Sequence, residues 1–134
     1  MGSSQLSKQF PDLGSAIDGA PPDRQRLAGW AAAQWAIRIS GLSHPVVAAA
    51  QIGGSTEAIE ALVEELDDRY FELQELCDEG KCSDADVLAA FTQARAANAL
   101  ECAIQGNAAD AVYEATACSD DHSELRKLVA SALQ

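Results

Sequence analysis

The chain has 134 residues, of which 48% are hydrophobic, 22% are charged and only 5% are aromatic. Its formal net charge of -12 disfavours binding to nucleic acid or to an anionic membrane surface, because the phosphate groups of both would be repelled. No hydrophobic stretch approaches the length of a membrane-spanning helix, and the N-terminus lacks the basic and apolar segments of a secretory signal. A cytoplasmic location is therefore expected, in which the four cysteines would be thiols.

Alanine accounts for 27 of the residues and largely determines the expected fold class. It favours helix and lets helices approach closely, although it buries little apolar area per residue. Alternating runs of β-branched residues, which indicate strands, do not occur in the sequence. We therefore predict an all-α protein: a single bundle of five to six helices with close, alanine-rich packing.

The predicted domain organisation is an N-terminal arm over residues 1–22 followed by a single α-helical domain over residues 23–134. The arm is rich in Ser, Gly, Pro and Asp and has only isolated hydrophobic residues. This composition predicts a flexible or partly ordered segment that adds a short turn of helix and does not fold independently.

Turn residues divide the first part of the domain into two helices. The first is predicted over residues 23–40 and ends at Gly41, because glycine adopts the left-handed conformation that commonly follows a helix. The second lies within SHPVVAAAQI, with Ser43 as its N-cap and Gly53-Gly54 as its end.

A third predicted helix, the acidic helix, begins at Ser55 or Thr56, reaches about Glu79 and ends at Gly80. On a helical wheel its apolar residues fall within an arc of about 100 degrees, which predicts a stripe that faces the core. The residues of this stripe are Ile59, Leu62, Val63, Leu66, Tyr70, Leu73 and Cys77.

Three further helices are predicted toward the C-terminus. Ser83 is the expected N-cap of the first, and Asp86 three residues later completes a capping box. These helices are predicted to run from the Ser83 cap to about Gln105, from Asn107 to about Cys118, and from about Asp120 to Leu133.

Most of the net charge belongs to the acidic helix and the turn after it. Residues 57–86 carry twelve acidic residues and two basic ones, Arg69 and Lys81, whereas the other residues carry nine acidic and seven basic ones. Such a concentrated negative field would speed the encounter with a basic partner.

Phe71 interrupts the acidic side of this helix, about 120 degrees from the centre of the core stripe. Either another element, such as the N-terminal arm, packs over it, or it is an exposed aromatic anchor within an acidic docking surface. The predicted partner-binding residues are Glu60, Glu64, Asp67, Asp68, Phe71 and Glu75.

A second candidate site lies on the helix that follows Ser83. Asn98, Glu101 and Gln105 form a polar stripe at helical spacing among alanines, with Arg95 nearby. The stripe is either a solvent-facing seam or the lining of a small polar pocket between helices.

Cys77 and Cys82 flank the turn after the acidic helix, so their sulfur atoms are expected to be close. Three interpretations remain open: two structural thiols, a redox-sensitive pair, or part of a metal site. Structural thiols are favoured, because Cys77 belongs to the core stripe and the second cysteine pair of a zinc site is missing. The outward-facing carboxylates also lack an EF-hand or di-metal pattern, and we therefore predict no metal and no cofactor.

Catalytic motifs are missing from the sequence. It contains no G-x-S-x-G, no glycine-rich phosphate loop, no H-E-x-x-H and no dinucleotide fingerprint. The two histidines, His44 and His122, lie in predicted turns without an adjacent nucleophile. A non-enzymatic protein is therefore expected.

Two segments, RLAGWAAAQWA (26–36) and ALECAIQGNAADAVYEA (99–115), resemble an all-α family of immunity proteins from bacterial polymorphic-toxin loci. The likeness covers about two thirds of the chain. The matching positions are Ala28, Trp30 and Ala31 for an Ala-x-Trp-Ala pattern, 94–99 for an alanine-rich helix, and Tyr113 for an aromatic residue near a helix end. Family members place histidines in the later helices where this chain has Gln105 and Asn107, so a role for those histidines is not carried over.

Three functional hypotheses follow. The first, which the resemblance also implies, is an acidic binding protein that docks on a basic partner protein and neutralises it, as an immunity protein inhibits a toxin. A close variant is a nucleic-acid mimic that inhibits a DNA- or RNA-binding protein. The second is a small helical enzyme or ligand-binding domain that uses the polar stripe, and the third is a structural module whose acidic face maintains solubility. No direct contact with nucleic acid or membrane is expected, and the oligomeric state is left open.

Overall fold

The computed structural model describes residues 4–52 and 56–134, and these form eight α-helices and no strand. The predicted all-α class is confirmed, with more helices than the five to six expected. None of the described helices is both long enough and apolar enough to cross a membrane. The helices are α1 (Ser4–Gln9), α2 (Pro11–Asp18), α3 (Pro22–Ser40), α4 (Pro45–Gln51), α5 (Thr56–Asp78), α6 (Asp84–Ile104), α7 (Ala108–Thr116) and α8 (Ser123–Leu133).

The two additional helices lie in the N-terminal segment, where the composition predicted only a short turn. Pro11 separates them: proline is well suited to the first position of α2, and it has no N–H with which to extend α1. Their apolar residues Leu6, Leu13 and Ile17 are buried in the common hydrophobic cluster. Helix α1 packs against α7, and α2 contacts α3, α7 and α8. Residues 4–18 therefore contribute to the core of the bundle.

Helix α3 is the central element, since it packs against α6, α7 and α8. Small side chains allow this arrangement. Ala28, Ala32 and Ala36 have no exposed surface, and a Cβ atom built on Gly29 would lie only 3.1 Å from the Cα atom of Ala108 in α7. Helices α3 and α7 therefore approach each other as closely as their backbones permit at this point.

The N-cap predicted for α4 is wrong by one residue. His44, not Ser43, occupies the cap, and its Nδ1 accepts a hydrogen bond from the backbone N–H of Val46 at 3.0 Å. Pro45 takes the first helical position, which proline favours, so the cap must be the residue directly before it. The predicted end at Gly53-Gly54 and the start at Ser55 lie outside the described residues.

Helices α5 and α6 form an antiparallel hairpin. Its turn has the predicted helix end at Gly80 and the predicted N-cap at Ser83. Gly80 has a φ of 76 degrees; its N–H bonds the carbonyl of Cys77 at 2.9 Å, and the next N–H bonds that of Leu76 at 2.8 Å. This is the Schellman pattern of a glycine-terminated helix. Ser83 and Asp86 then form the predicted capping box at the start of α6.

The core stripe predicted for α5 is buried only in its first turns. Ile59, Leu62 and Val63 are buried, whereas the later members of the stripe are partly exposed. In the chain between Val63 and Ala90 no residue is buried. Residues 66–91, which we call the outer hairpin, therefore lie largely beyond the core of the bundle, with Ala90 as the one buried residue of this range.

Two leucines on α6 test this division between core and outer hairpin. Leu100 has no exposed surface, whereas Leu88 is 62% exposed. We expect Leu100→Ala to lower the free energy of unfolding by about 2–5 kcal/mol, because it leaves a cavity in the core. The same substitution at Leu88 should change it by less than about 0.5 kcal/mol. Urea unfolding followed by circular dichroism measures both, and equal losses would contradict the burial described.

Candidate docking surface

Four of the predicted partner-binding carboxylates lie together on the solvent side of α5. Their side chains are exposed, and no Lys or Arg in the described part of the chain forms a salt bridge with any of them. Their negative charge is therefore available to an external cation. The four residues are Glu60, Glu64, Asp68 and Glu75.

Asp67 differs from these four, because it is engaged inside the protein. Arg95 of α6 donates from Nη2 to Asp67 at 2.9 Å and from Nη1 to Glu114 of α7 at 2.8 Å. The guanidinium group also lies 5.8 Å from the centre of the Phe91 ring. One arginine thus joins α5, α6 and α7, and Asp67 contributes to this junction rather than to the open acidic surface.

Phe71 is 58% exposed. Of the two alternatives left open by the sequence, the structure has the uncovered one: the N-terminal helices pack against α3, α7 and α8 instead. The ring of Phe71 lies 5.4 Å from that of Tyr70, which is in turn 5.2 Å from the ring of Phe91. Three aromatic rings therefore adjoin one another across the two helices of the outer hairpin.

A groove with a volume of about 370 Å³ runs between α5 and α6 beside these rings. Its largest exposed apolar side chain is Leu88, and two aspartates lie where the helices meet the turn. We call it the hairpin groove. Its lining residues are Tyr70, Gln74, Cys77, Asp78, Asp84, Val87, Leu88 and Phe91.

The α6 half of this groove had no predicted role, because the docking surface was predicted on α5 and only the polar stripe on α6. A signal was nonetheless present. Asp84, Val87, Leu88 and Phe91 are spaced at i, i+3, i+4 and i+7, so they share one face of a helix that begins at the Ser83 cap. The sequence does not show that this face lies beside Tyr70.

The thiol of Cys77, at the end of the groove, is held in the protonated form. Cys77 donates a hydrogen bond to the Asp84 carboxylate at 3.2 Å, and this contact is the main reason that the pKa of Cys77 rises to about 11. Cys82 lies close enough to add to the rise, and its own thiol contacts the carbonyl of Leu73 at 3.2 Å. Redox pairing of the two cysteines stays a prediction, and a high pKa leaves little thiolate to begin the reaction.

The other two cysteines are thiols shielded by the bundle. Burial raises the pKa of Cys102 and that of Cys118 to about 12. Within residues 4–52 and 56–134, no group of three or more His, Cys, Asp or Glu side chains is placed to hold a metal ion.

The residues of the polar stripe on α6 make separate local contacts in the structure. Asn98 donates to the carbonyl of Ala94 at 2.8 Å, and Gln105 is exposed at the end of the helix. Burial raises the pKa of Glu101, and the nearby negative charges of Glu60 and Asp67 raise it further.

Arg95, the cation of that stripe, lines a cleft of about 310 Å³ together with residues of α1, α6 and α7. Asn98, Glu101 and Gln105 are not among the residues that line it. A pocket built from all four stripe residues therefore stays a prediction.

Both histidines have structural contacts. His44 caps α4, as described above, and His122 places Nε2 at 2.8 Å from the carbonyl oxygen of Thr116. The His122 ring also packs edge-on against Phe10, with ring centres 5.4 Å apart. The two contacts of His122, which directly precedes α8, therefore connect the segment around Phe10 to α7 and α8.

No family model, curated protein or solved structure matches this chain.

The junction at Arg95 makes a prediction about pH. Burial raises the pKa of Glu114 above its ordinary value of 4.5, and Arg95 opposes the rise. Because the folded chain then holds this proton more tightly than the unfolded chain, the contribution of Glu114 to stability falls as the pH rises from 4.5 through its raised pKa. Removing Arg95 should raise the pKa of Glu114 further and make this loss of stability larger.

We therefore expect Arg95→Met to lower the free energy of unfolding by about 1–3 kcal/mol at pH 7, and by less at about pH 4. The matched control is Arg38→Met, which removes an exposed pair with Glu124 and should have a much smaller effect, because solvent and salt screen that pair. Urea titrations at both pH values provide the measurement. A loss for Arg95→Met that does not depend on pH would contradict the assigned role of Glu114.

The contact between Cys77 and Asp84 predicts a change in thiol reactivity. Asp84→Asn removes the charge that raises the pKa of Cys77, so alkylation by iodoacetamide at a pH of about 8.5 should become several times faster. Peptide mapping by mass spectrometry in a Cys82→Ser background assigns the modified thiol. Asp78→Asn, a nearby carboxylate without this hydrogen bond, is the control, and equal rates for the two variants would refute the assignment.

Proposed function

We propose that this protein binds a basic partner protein through the acidic side of α5 and blocks the partner's activity, as an immunity protein inhibits a toxin. The observation that carries the proposal is the group of exposed, unpaired carboxylates around the exposed ring of Phe71. A cytoplasmic location belongs to the same proposal.

The two components of this surface would act at different stages of binding. Uncompensated carboxylates steer a cationic protein toward the surface and raise the association rate, and this effect is screened by salt. A large aromatic side chain that becomes buried at the centre of the contact then supplies affinity that salt does not screen. An acidic surface with an apolar anchor therefore suits a protein that must find and hold a basic target.

The resemblance of residues 26–36 and 99–115 to immunity proteins supports the inhibitory part of the proposal. Nucleases and other nucleic-acid-binding proteins present cationic surfaces to phosphate, and carboxylates can occupy those surfaces in its place. The nucleic-acid-mimic variant shares this chemistry and is distinguished by the identity of the bound protein.

The enzymatic alternative has less support in the geometry. Both Nη atoms of Arg95, the one cation of the polar stripe, are bonded to carboxylates of the protein itself. Arg95 is therefore not available to a substrate without breaking the junction of α5, α6 and α7.

Affinity capture at two salt concentrations tests the proposal. The immobilised chain should retain a basic protein at about 0.1 M salt and release it at about 1 M, because the screening length falls from about 10 Å to about 3 Å. The captured protein, once identified and purified, should lose its activity when mixed with the chain. Replacing Glu64 and Glu75 with Gln should weaken this binding by about tenfold.

The matched control replaces Glu65 and Glu72 with Gln. These residues lie on the same helix, are also exposed and carry the same charge, but they point away from Phe71. Equal effects of the two double variants would show that total charge, not the predicted surface, governs binding. Failure to retain any basic protein at the lower salt concentration would refute the proposed function.

A further inference from the structure

We infer that the hairpin groove receives an apolar side chain from an amphipathic helix of the basic partner, while Lys and Arg side chains flanking it contact the carboxylates around the groove. The inference rests on the proposed function. It adds a second helix, α6, to the binding surface and specifies the kind of segment that the surface recognises.

The first support is apolar surface that the fold leaves uncovered. Phe71 is 58% exposed on one helix of the hairpin and Leu88 is 62% exposed on the other. Tyr70 and Phe91 lie between them, with ring centres 5.2 Å apart. An apolar side chain placed in the groove would contact Tyr70, Leu88 and Phe91, which line it, while the adjoining turn of the bound helix would cover the exposed ring of Phe71 beside Tyr70. Buried aromatic and aliphatic side chains of this kind form strong interface anchors.

The second support is the charge around the groove. The lining includes the carboxylates of Asp78 and Asp84 and contains no basic residue. Glu75 lies exposed on the neighbouring surface of α5. A cation beside the bound apolar side chain would therefore meet a carboxylate at the turn end of the groove and another on its α5 side.

The net charge also indicates whether the groove binds a different protein or a second copy of this chain. Each copy carries a net charge of -12, and two hairpin grooves brought face to face would oppose Asp78 and Asp84 with the same residues. This repulsion disfavours self-association and favours a cationic occupant.

The shape of the groove indicates a helical occupant. It lies between two antiparallel helices, and a third helix fills such a groove with apolar residues at i, i+3, i+4 and i+7. A segment that binds by β-strand addition needs the edge of a sheet, and the described residues form no strand.

Synthetic peptides provide the test, because they can be made before the partner protein is identified. The probe is a fluorescent peptide of about 15 residues with a leucine stripe at helical spacing and lysine at the remaining positions. The first control has the same composition in scrambled order, and the second keeps the stripe but replaces lysine with glutamate. Binding to the full chain is followed by fluorescence anisotropy at about 0.1 M salt.

The striped basic peptide should bind at least about tenfold more tightly than either control peptide. Phe71→Ala and Leu88→Ala should each weaken its binding by about tenfold, because Leu88 lines the groove and the exposed ring of Phe71 lies beside Tyr70, which also lines it. Leu27→Ala and Ile39→Ala serve as matched variants, since these residues are 51% and 43% exposed on α3, and they should leave the affinity unchanged.

The outcomes separate this inference from the function on which it rests. Salt-sensitive binding that is equal for the striped and scrambled basic peptides, and unchanged by the groove variants, overturns the inference while the charge-based function stands. Absence of binding by both basic peptides counts against both proposals. Concentration-dependent self-association in analytical ultracentrifugation that Phe71→Ala abolishes would assign the groove to a second copy and overturn the inference.

Discussion

Close packing through alanine and glycine is the constraint on which the rest of the structure depends. Helix α3 meets α7 where a Cβ atom on Gly29 would lie 3.1 Å from the Cα atom of Ala108, and it meets its other neighbours through alanines with no exposed surface. Such contacts bring helices close together but offer little apolar area to elements farther out. The core therefore ends before the outer hairpin does, and the larger apolar side chains beyond it remain at the surface.

One arginine connects the outer hairpin to α7 of the bundle. Arg95 bonds to Asp67 on α5 and to Glu114 on α7, and its guanidinium group lies near the Phe91 ring. This arginine attaches the hairpin to α7 at the inner end of the aromatic cluster. On the turns of α5 that follow Val63, Asp68 and Glu75 lie on the same side as the exposed ring of Phe71, outside both the core and this ion-pair network.

Local chemistry made much of the fold predictable. The capping box at Ser83, the glycine-terminated end of α5 at Gly80 and the all-α class depend on residues close in sequence, and the structure has all three. Contacts between distant elements were not predictable in this way. The pairing of Arg95 with Asp67 and the adjacency of Tyr70 and Phe91 depend on how α5 and α6 are aligned, and the exposure of Phe71 depends on where the N-terminal helices pack. The cap of α4 was misplaced for a local reason, because the position of Pro45 outweighs the cap preference of Ser43.

The central claim is that an apolar groove within an acidic surface lies open on the outer hairpin, and residue-resolved NMR tests it most directly. Backbone amide signals of the full chain are recorded during titration with the striped basic peptide. The largest shift changes should cluster at residues 67–78 of α5 and 84–91 of α6 and disappear at about 1 M salt. Changes centred on α3 or α8, or spread evenly over the described helices, would contradict the central claim.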